Sequence, residues 1–585
     1  MKHEHNDRPM RSRDWIALAA LLTACAGAGA AAEGAIAAQG GAAGAAERIY
    51  REGILPSGEP LRAVRENGMA IEGKAAACSN CHRRSGIGVN EGRITIPPIT
   101  AKYLLNPDER LPPDVLVHSP AATGGRRESY TDETLVRAIR EGINADGKPL
   151  SYLMPRFALN DADAATLVHY LRSLSREPTR GVTHDYVEFA TIVTPDADSA
   201  ERAGMIDVLQ HFFSNKNDYE RLHDPPMVSA RRVHYRVVRK WRLHVWELSG
   251  PPDTWEAQLN RHLEAEPVFA VISGVGGRDW APVHRFCEHE ALPCLFPNVQ
   301  LPVVAEGDFY PLYFSRGVLL EADLIRGELD KAGPALRSGD DRRRVVQIYR
   351  RGDVGEAAAH ALRSGSRFEW IERPLPADGA PNAVREALAD VRAGDTVVLW
   401  LRGGDLRALP ADPPNSIAIF ASGLMAGLEQ APLPANWRGP TRITYPVDLP
   451  QRRSVRLVQP LTWFRAEHIP VVAERVQVDT YIACQVLSEG IGHAFGDLVP
   501  DYLIEQIENM VSVKLLDGYY RRLALAPGQR FASKGGYIVR LAAPPAGAQV
   551  ASNGTPRTLP AGSVPAAAAA APSAGVIVDT DWIVP

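Results

Sequence analysis

The pattern of hydrophobic and polar positions changes near residue 180. Before this point, apolar residues recur at the three- and four-residue spacing of amphipathic helices, over residues 45–53, 131–141 and 161–174. Thr131 is expected to be the N-cap of the second of these helices, and Gly142 is expected to end it. The pattern therefore predicts a helical unit in the first third of the chain.

After residue 180, short apolar runs alternate with helical segments. The predicted strands are residues 187–193, 243–248, 268–273, 294–296, 345–349, 396–401 and 417–420, and the predicted helices are residues 200–213, 255–263, 281–288 and 355–362. Apolar strands interleaved with helices are typical of a parallel sheet that carries helices on both faces. The stretch is too long for one such sheet, so we expect two α/β lobes.

The first 32 residues have the pattern of a secretory signal peptide. A basic stretch precedes an apolar run over residues 15–24, which is too short for a membrane span, and small residues follow it. Within this segment, Leu22-Thr23-Ala24-Cys25 resembles a bacterial lipobox, in which the cysteine is lipidated after export. The alternative is ordinary cleavage after the small residues, which would remove Cys25. Both alternatives predict a periplasmic protein in an oxidising compartment.

Compositional bias also marks a linker and a tail. Residues 33–46 are Ala/Gly-rich and read as a flexible linker, and residues 544–585 form an Ala/Pro-rich tail. The last residues of the tail, 576–585, are apolar again, and we expect them to dock as a terminal strand. Between the linker and the tail we place one domain over residues 47–175 and a second over residues 185–542.

Composition argues against one class of function, the binding of nucleic acid. The chain has 585 residues and a formal net charge of −4. Bulk electrostatic binding of nucleic acid needs a strongly basic surface, so no nucleic-acid partner is expected. With 45% hydrophobic residues the chain has enough apolar side chains for sizeable cores.

The cysteines fall into groups with different expectations. Cys287 and Cys294 are close neighbours in an exported chain, which favours a disulfide over two buried thiols. Such a bridge would stabilise the fold by about 2–3 kcal/mol on the chain-entropy model. Cys484 lies in an apolar helical stretch and is expected to be an inert core thiol. Cys78 and Cys81 stand apart as a closely spaced pair.

Residues 78–82 read Cys-Ser-Asn-Cys-His, the pattern of covalent c-type haem attachment. Two thiols at this spacing reach the two vinyl groups of a porphyrin, and the next imidazole turns onto the iron. A zinc site would need a second ligand pair nearby, and a thioredoxin-like site would need a strand before the pair and a helix after it. The flanking sequence suggests neither. We therefore predict one haem c held through Cys78 and Cys81, with His82 as an iron ligand.

The segment around this motif resembles a class I cytochrome c, which is an all-α fold. The resemblance covers residues 47–175 and rests on the haem motif, a Leu-Met-Pro loop and the final helix. In that family a thioether from the Met-Pro loop is the sixth iron ligand, which implies Met154 here; His169 on the last helix is the competing candidate. Met/His ligation raises the reduction potential. A carbonyl of Pro97 or Pro98 is expected to accept the ring N–H of His82.

Residues 185–542 resemble, more loosely, the type I periplasmic substrate-binding proteins, the family of branched-chain amino-acid receptors. The resemblance rests on the order of elements, on the Ser-Gly-Val-Gly-Gly run after the third strand and on Leu-Tyr-Phe-Ser-Arg at the lobe crossover. In that family the ligand lies between the lobes, at the carboxyl ends of strands. The resemblance implies a cleft lined by Ser273, Gly274, Ser315 and Arg316. A Ser-Gly loop at a strand end is also an ordinary turn.

The ligand of this second domain stays open. The sequence does not show the acidic and aromatic pair that would hold an α-amino group, so an amino acid is not expected. Arg350 and Arg402 follow predicted strands and would suit a carboxylate or another small anion, or else they are ordinary surface arginines.

The sequence as a whole predicts a periplasmic electron carrier rather than an enzyme. By analogy with the cytochrome family, a periplasmic dehydrogenase such as a quinoprotein would donate electrons, and a cytochrome or oxidase would accept them. The receptor-like domain would dock a partner or bind a small molecule. The alternative is a transport or sensory binding protein in which the haem is secondary. A peroxidase-type enzyme ranks last, because both axial positions of the iron would be filled.

Overall fold

The computed structural model describes residues 44–91, 94–106, 127–176, 178–222, 228–229, 232–233, 239–331, 343–363, 368–377, 382–494, 497–513, 518–542 and 575–585. Two compact units divide the chain between Glu177 and Pro178. The expected signal peptide, Cys25 and most of the Ala/Gly-rich linker lie outside the described residues. Within the described ranges, no helix is long and apolar enough to cross a membrane.

The first unit is mainly helical. Its helices cover residues 44–52, Ser79–His82, Ala101–Leu105, Asp132–Glu141 and Asp161–Ser173, with a 3-10 turn at Gly73–Ala76. Five short strands join them: β1 (Arg62–Val64), β2 (Ala70–Glu72), β3 (Val89–Glu91), β4 (Ile94–Ile96) and β5 (Arg156–Ala158). They form an antiparallel sheet in the order β2-β1-β5 and a separate β3-β4 pair. The sequence pattern did not predict these strands.

Local signals set the ends of the longer helices as predicted. The Thr131 hydroxyl accepts a hydrogen bond from the Thr134 backbone N–H at 3.3 Å, and Gly142 ends the helix with a positive φ of 70°. The last helix begins at Asn160, whose side chain accepts from the Asp163 N–H at 2.8 Å. Both helices bury their apolar faces in one core.

The first unit contains two copies of one local motif, which the sequence analysis did not detect. Residues 51–61 read REGILPSGEPL and residues 140–150 read REGINADGKPL. In each copy a helix ends at a glycine with positive φ, and the final leucine N–H returns to that glycine's carbonyl at 2.7 Å. The turn hydrogen bonds between these points also correspond. We call these segments the twin turns.

The first lobe of the second unit is built on a parallel sheet. Its order is β12-β11-β10-β6-β9, where the strands are β6 (Tyr186–Val193), β9 (Lys240–Glu247), β10 (Ala270–Ile272), β11 (Cys294–Leu295) and β12 (Pro311–Leu312). The short strands β7 (Val228–Ser229) and β8 (Arg232–Val233) pair separately. Its helices are Ser199–Leu222, Trp255–Ala265 and Ala281–His289, with a 3-10 turn at Pro252–Thr254.

The second lobe has a seven-stranded sheet in the order β14-β13-β15-β16-β17-β18-β19. The strands are β13 (Arg343–Arg350), β14 (Phe368–Leu375), β15 (Thr396–Trp400), β16 (Ala418–Ala421), β17 (Thr441–Tyr445), β18 (Tyr537–Leu541) and β19 (Val576–Val578). The last two are antiparallel to their neighbours, so the sheet is mixed and not wholly parallel as expected. The chain end therefore docks as a strand at the sheet edge.

Helices cover the second sheet and link the lobes. They are Val318–Lys331, Val354–Leu362, Ala383–Leu388, Gly403–Arg407, Gly423–Ala426, Ala435–Arg438, Pro450–Arg456, Val458–Ala466, Glu474–Ala494 and Pro500–Val513, with a 3-10 turn at Leu428–Gln430. Helix Glu474–Ala494 packs against Ser199–Leu222, so the chain returns to the first lobe after building most of the second. Residues far apart in sequence therefore meet between the lobes.

The cysteines of the second unit occupy the positions that the sequence suggested. Cys287 and Cys294 are joined by a disulfide that ties helix Ala281–His289 to β11, with their Cα atoms 6.2 Å apart. Cys484 is fully buried in helix Glu474–Ala494, and burial raises the pKa of its thiol.

A buried carboxylate fixes the helix that starts the second lobe. Glu321, on helix Val318–Lys331, is 0% exposed. It accepts hydrogen bonds from the Ser422 hydroxyl at 2.5 Å, the Thr444 hydroxyl at 2.8 Å and the Leu424 backbone N–H at 3.0 Å. Burial raises the pKa of Glu321 to about 7, although these donors oppose the shift.

The raised pKa of Glu321 predicts a pH-dependent stability. Between about pH 4.5 and pH 7 the folded protein keeps a proton that the unfolded chain releases, so this group lowers the free energy of unfolding as pH rises. Glu321→Gln should remove roughly 2–3 kcal/mol of that decline between pH 5 and pH 8, as measured by urea unfolding. Glu328→Gln, on the same helix, is the control and should keep the decline. An unchanged decline in Glu321→Gln would contradict the assignment.

Candidate functional sites

The Cys-Ser-Asn-Cys-His motif forms a single helical turn in the first unit. Cys78 is the N-cap of helix Ser79–His82, and its carbonyl accepts the His82 backbone N–H at 2.9 Å. Residues three apart on a helix share a face, so both sulfur atoms lie on one side of the turn. Cys78 and Cys81 are thiols and not a disulfide. Burial raises the pKa of Cys78 to about 12, the opposite of what a reactive redox thiolate needs.

The His82 ring is prepared to coordinate a metal through one nitrogen. The side chain is buried, and Nδ1 lies 3.0 Å from the carbonyl oxygen of Pro97. A carbonyl only accepts, so Nδ1 donates and carries the ring proton. Burial lowers the pKa of His82 to about 4, so the ring is neutral at ordinary pH and Nε2 keeps its lone pair. The predicted contact with Pro97 is confirmed, and the residues fit a covalently attached haem.

The first twin turn supports this motif. The Arg51 carbonyl accepts hydrogen bonds from the Ser79 hydroxyl and from Lys74 Nζ, both at 3.2 Å. A Cβ atom on Gly53 would lie 2.0 Å from the carbonyl oxygen of Gly73, so only glycine lets the two segments approach this closely. The turn thereby fixes the chain just before Cys78.

The second twin turn leads into the loop that carries Met154. Met154 is half-buried and packs against the same core as Cys78. Its backbone N–H donates to the Ser151 carbonyl at 3.0 Å, and its carbonyl accepts from the Arg156 guanidinium. The loop therefore holds a thioether at the core that the haem motif also contacts.

The competing ligand, His169, is directed elsewhere. It is exposed on helix Asp161–Ser173, whose Leu167 and Leu171 are buried in the core. It lines a surface groove together with residues of the neighbouring helix, including Asp132 and Glu133. This position agrees with the expectation that the last helix holds His169 away from the iron.

The four cleft residues inferred for the second unit do not all line one cavity in the described part of the chain. Ser273 is buried, with its hydroxyl 3.0 Å from both the Thr480 hydroxyl and the Asn298 amide nitrogen. Gly274 lies under the ring of Trp280 and does not face the cavity. Arg316 pairs with Asp323 at 2.5 Å. Ser315 alone of the four lines the cavity between the lobes.

That cavity is small and polar. Its volume is about 20 Å³, enough for roughly one water molecule. Asp479 lies in its wall and is 1% exposed, and its Oδ2 atom accepts from the Tyr520 hydroxyl at 3.3 Å and faces Arg475 at 3.7 Å. Oδ1 of Asp479 and the amide oxygens of Asn298 and Gln300 have no hydrogen-bond partner among the described residues. Burial raises the pKa of Asp479 to about 7.

This acidic and aromatic pair was not predicted from the sequence. Asp479 and Tyr520 come from segments that return late to the first lobe, and nothing near them in sequence marks a ligand site. The arginines that the sequence did single out serve other contacts. Arg402 donates twice to Asp353, at 2.7 Å each, and Arg350 pairs with Asp405.

Similarity to known proteins differs between the two units. Residues 66–175 match the family model described as Cytochrome c. No curated protein matches the chain.

Several solved structures are similar to part of this chain. A fatty acid ABC transporter substrate-binding protein from Thermomonospora curvata has a TM-score of 0.44 at 14% identity, over 62% of this chain and 90% of its own. A substrate-binding periplasmic protein from Ralstonia solanacearum has a TM-score of 0.43 at 13% identity, over 61% and 97%. A branched chain amino acid ABC transporter from Thermus thermophilus with bound valine has a TM-score of 0.42 at 9% identity, over 61% and 94%. The two-lobed description of this unit rests on its own strand order and register.

The family match spans the haem motif, the Met-Pro loop and the last helix of the first unit. The local geometry agrees with it, since the buried neutral His82 ring stands beside two thiols at the attachment spacing. Residues 66–175 of this chain are therefore similar to cytochrome c both in sequence and in the local geometry of the Cys-Ser-Asn-Cys-His motif.

Proposed function

We propose that this protein transfers single electrons through one covalently bound haem c. The observation that carries the proposal is the His82 ring, whose Nδ1 is engaged by Pro97 while Nε2 keeps its lone pair, within a turn that also presents two thiols. Cys78 and Cys81 would hold the haem through thioethers, and His82 and Met154 would be its axial ligands. When bound, the haem supplies an iron that alternates between ferric and ferrous states.

The chain's own residues favour electron transfer over catalysis. His82 is fixed by a partly buried hydrogen bond to Pro97, and the Met154 main chain is anchored at both its N–H and its carbonyl. If His82 and Met154 both held the haem iron, a substrate such as peroxide would have no vacant position on it. A fixed pair of ligands also limits rearrangement between redox states, which suits an electron carrier.

The proposed location is the periplasm. The signal-like N-terminus supports export, and the Cys287–Cys294 disulfide fits an oxidising compartment. A dehydrogenase, for which a quinoprotein is the analogy, would be the electron donor, and a cytochrome or oxidase the acceptor. Lipidation of Cys25 would add a membrane anchor, whereas ordinary cleavage would leave the protein without it.

Covalent attachment is the first test. The full chain, matured in a host that attaches haem c, should gain the mass of one haem and show reduced c-type absorption bands. Replacing both Cys78 and Cys81 with alanine should abolish the added mass, because no thioether can then form. Cys484→Ala, which removes a buried thiol outside the motif, should retain it. A parent protein without added mass would contradict the proposal.

The axial ligands are tested by comparing Met154→Ala with His169→Ala. Loss of the thioether should lower the reduction potential and let carbon monoxide bind the ferrous protein, because Met/His ligation raises the potential and fills the site. His169→Ala should behave as the parent protein, since His169 is exposed away from the core. Potentiometry and carbon monoxide difference spectra measure both effects. If His169→Ala lowered the potential and let carbon monoxide bind while Met154→Ala behaved as the parent protein, His169 would be the ligand.

A second candidate function is small-molecule binding between the lobes. The observation that favours it is the buried Oδ1 atom of Asp479, which has no hydrogen-bond partner in the described part of the chain and lies beside two amide oxygens in the same state. Buried acceptors without donors are costly, so they call for a donor from water or from a ligand. An amino group would supply such donors, whereas a simple carboxylate has none to offer these acceptors.

Leucine, its amine analogue isopentylamine and its carboxylate analogue 4-methylpentanoate separate these chemistries. Ligands with an amino group should raise the melting temperature, since about 2.7 kcal/mol is gained at a hundredfold excess over Kd. Asp479→Asn should remove the shift, whereas Asp405→Asn, which removes the partner of Arg350 outside the cavity, should keep it. A melting-temperature shift with 4-methylpentanoate alone would instead favour binding of an anion.

A further inference from the structure

Arg156 lies where the Met154 loop rejoins the body of the first unit. It opens β5, two residues after Met154, and pairs with Val64 of β1. Its neighbour Phe157 points into the core. The residue between Met154 and Arg156 is Pro155, which has no N–H to offer the loop. Backbone hydrogen bonding therefore contributes little between Met154 and the start of the strand.

The guanidinium group closes this gap. Its Nη1 atom donates a hydrogen bond to the carbonyl oxygen of Met154, the residue that precedes Pro155. Two further hydrogen bonds of the loop are local: the Ser151 carbonyl accepts from Met154 N–H at 3.0 Å, and the Ser151 hydroxyl accepts from Leu153 N–H at 3.3 Å. Tyr152 and Leu153 are exposed hydrophobic residues, 65% and 41% respectively, so their packing anchors the loop only weakly. The Arg156 contact connects the Met154 main chain to the sheet.

The second twin turn sets the position of that guanidinium. A Cβ atom on Gly142 would lie 2.0 Å from Cζ of Arg156, so the group rests directly on the glycine. Gly142 is also the C-cap of helix Asp132–Glu141, where the backbone carbonyls favour a cation. The absence of a side chain on Gly142 and the carbonyl groups at the helix C-terminus together determine where the Arg156 guanidinium lies.

We infer that Arg156 is a positioning residue that holds the Met154 backbone so that the thioether faces the proposed haem iron. The inference rests on the proposed function, in which Met154 is an axial ligand. Loss of the contact should free the loop and allow an added ligand to displace the thioether. A merely structural role for Arg156 would lower stability without changing that competition.

The experiment measures imidazole binding to the ferric holoprotein, with the full chain matured with its haem. Arg156→Met should bind imidazole about tenfold more tightly than the parent and weaken the ferric thioether absorption band, since one charge-assisted hydrogen bond corresponds to about a decade in the equilibrium. Arg156→Lys keeps the charge but loses the planar fork, so an intermediate change is expected. This variant also separates loss of charge from loss of geometry.

A second route to the same change leaves the arginine in place. Gly142→Ala should displace the guanidinium and tighten imidazole binding as Arg156→Met does. Gly147→Ala is its matched control, because Gly147 lies in the same turn with a φ of 79° and open space around it. Arg172→Met controls for loss of an arginine that pairs with Asp132 instead. Both controls should match the parent.

The outcomes separate the inference from the function on which it rests. Parent-like imidazole affinity in both Arg156→Met and Gly142→Ala, with tight binding in Met154→Ala, overturns the role of Arg156 alone. Parent-like affinity in Met154→Ala overturns the ligand assignment and the role of Arg156 with it. If Arg156→Met fails to mature, Arg156→Lys and Gly142→Ala decide the question by the same measurement.

Discussion

The hydrogen bond from His82 to the Pro97 carbonyl governs the chemistry available to the first unit. It places the ring proton on Nδ1, and burial keeps the ring neutral, so the other nitrogen can serve as a ligand. Without it the imidazole could rotate or exchange tautomers, and two thiols beside it would define only a pair of cysteines. The role proposed for His82 as an iron ligand therefore depends on this one contact.

The second unit is organised by a different constraint, the repeated crossing of the chain between its lobes. Helix Glu474–Ala494 returns to the first lobe and brings Asp479 to a cavity that otherwise contains crossover residues such as Ser315. The cavity is too small in this structure for more than about one water. A ligand larger than water would therefore require the residues that line the cavity to move apart.

Sequence alone was sufficient where the determining contacts are local. The haem motif, the cap at Thr131 and the stop at Gly142 are each written in a few adjacent residues. It failed where distant segments meet: the antiparallel strand β18 follows nearly a hundred residues of helix and loop, and Asp479 reaches the cavity only through the fold. The contact between Ser273 and Asn298 was not predicted for the same reason, because the sequence of a loop at a strand end does not show which residues pack over it.

The twin turns have a consequence for tolerance to sequence change. Because Gly53 has no side chain, the carbonyl of Gly73 can lie close to it, in the segment before the cysteines. Gly142 likewise leaves room for the Arg156 guanidinium next to the Met154 loop. The tips of the two turns, by contrast, already differ freely between the copies, as in LPS and NAD. A side chain added at Gly53 or Gly142 would overlap a neighbouring group, so each copy should accept substitutions more readily at its tip than at its first glycine.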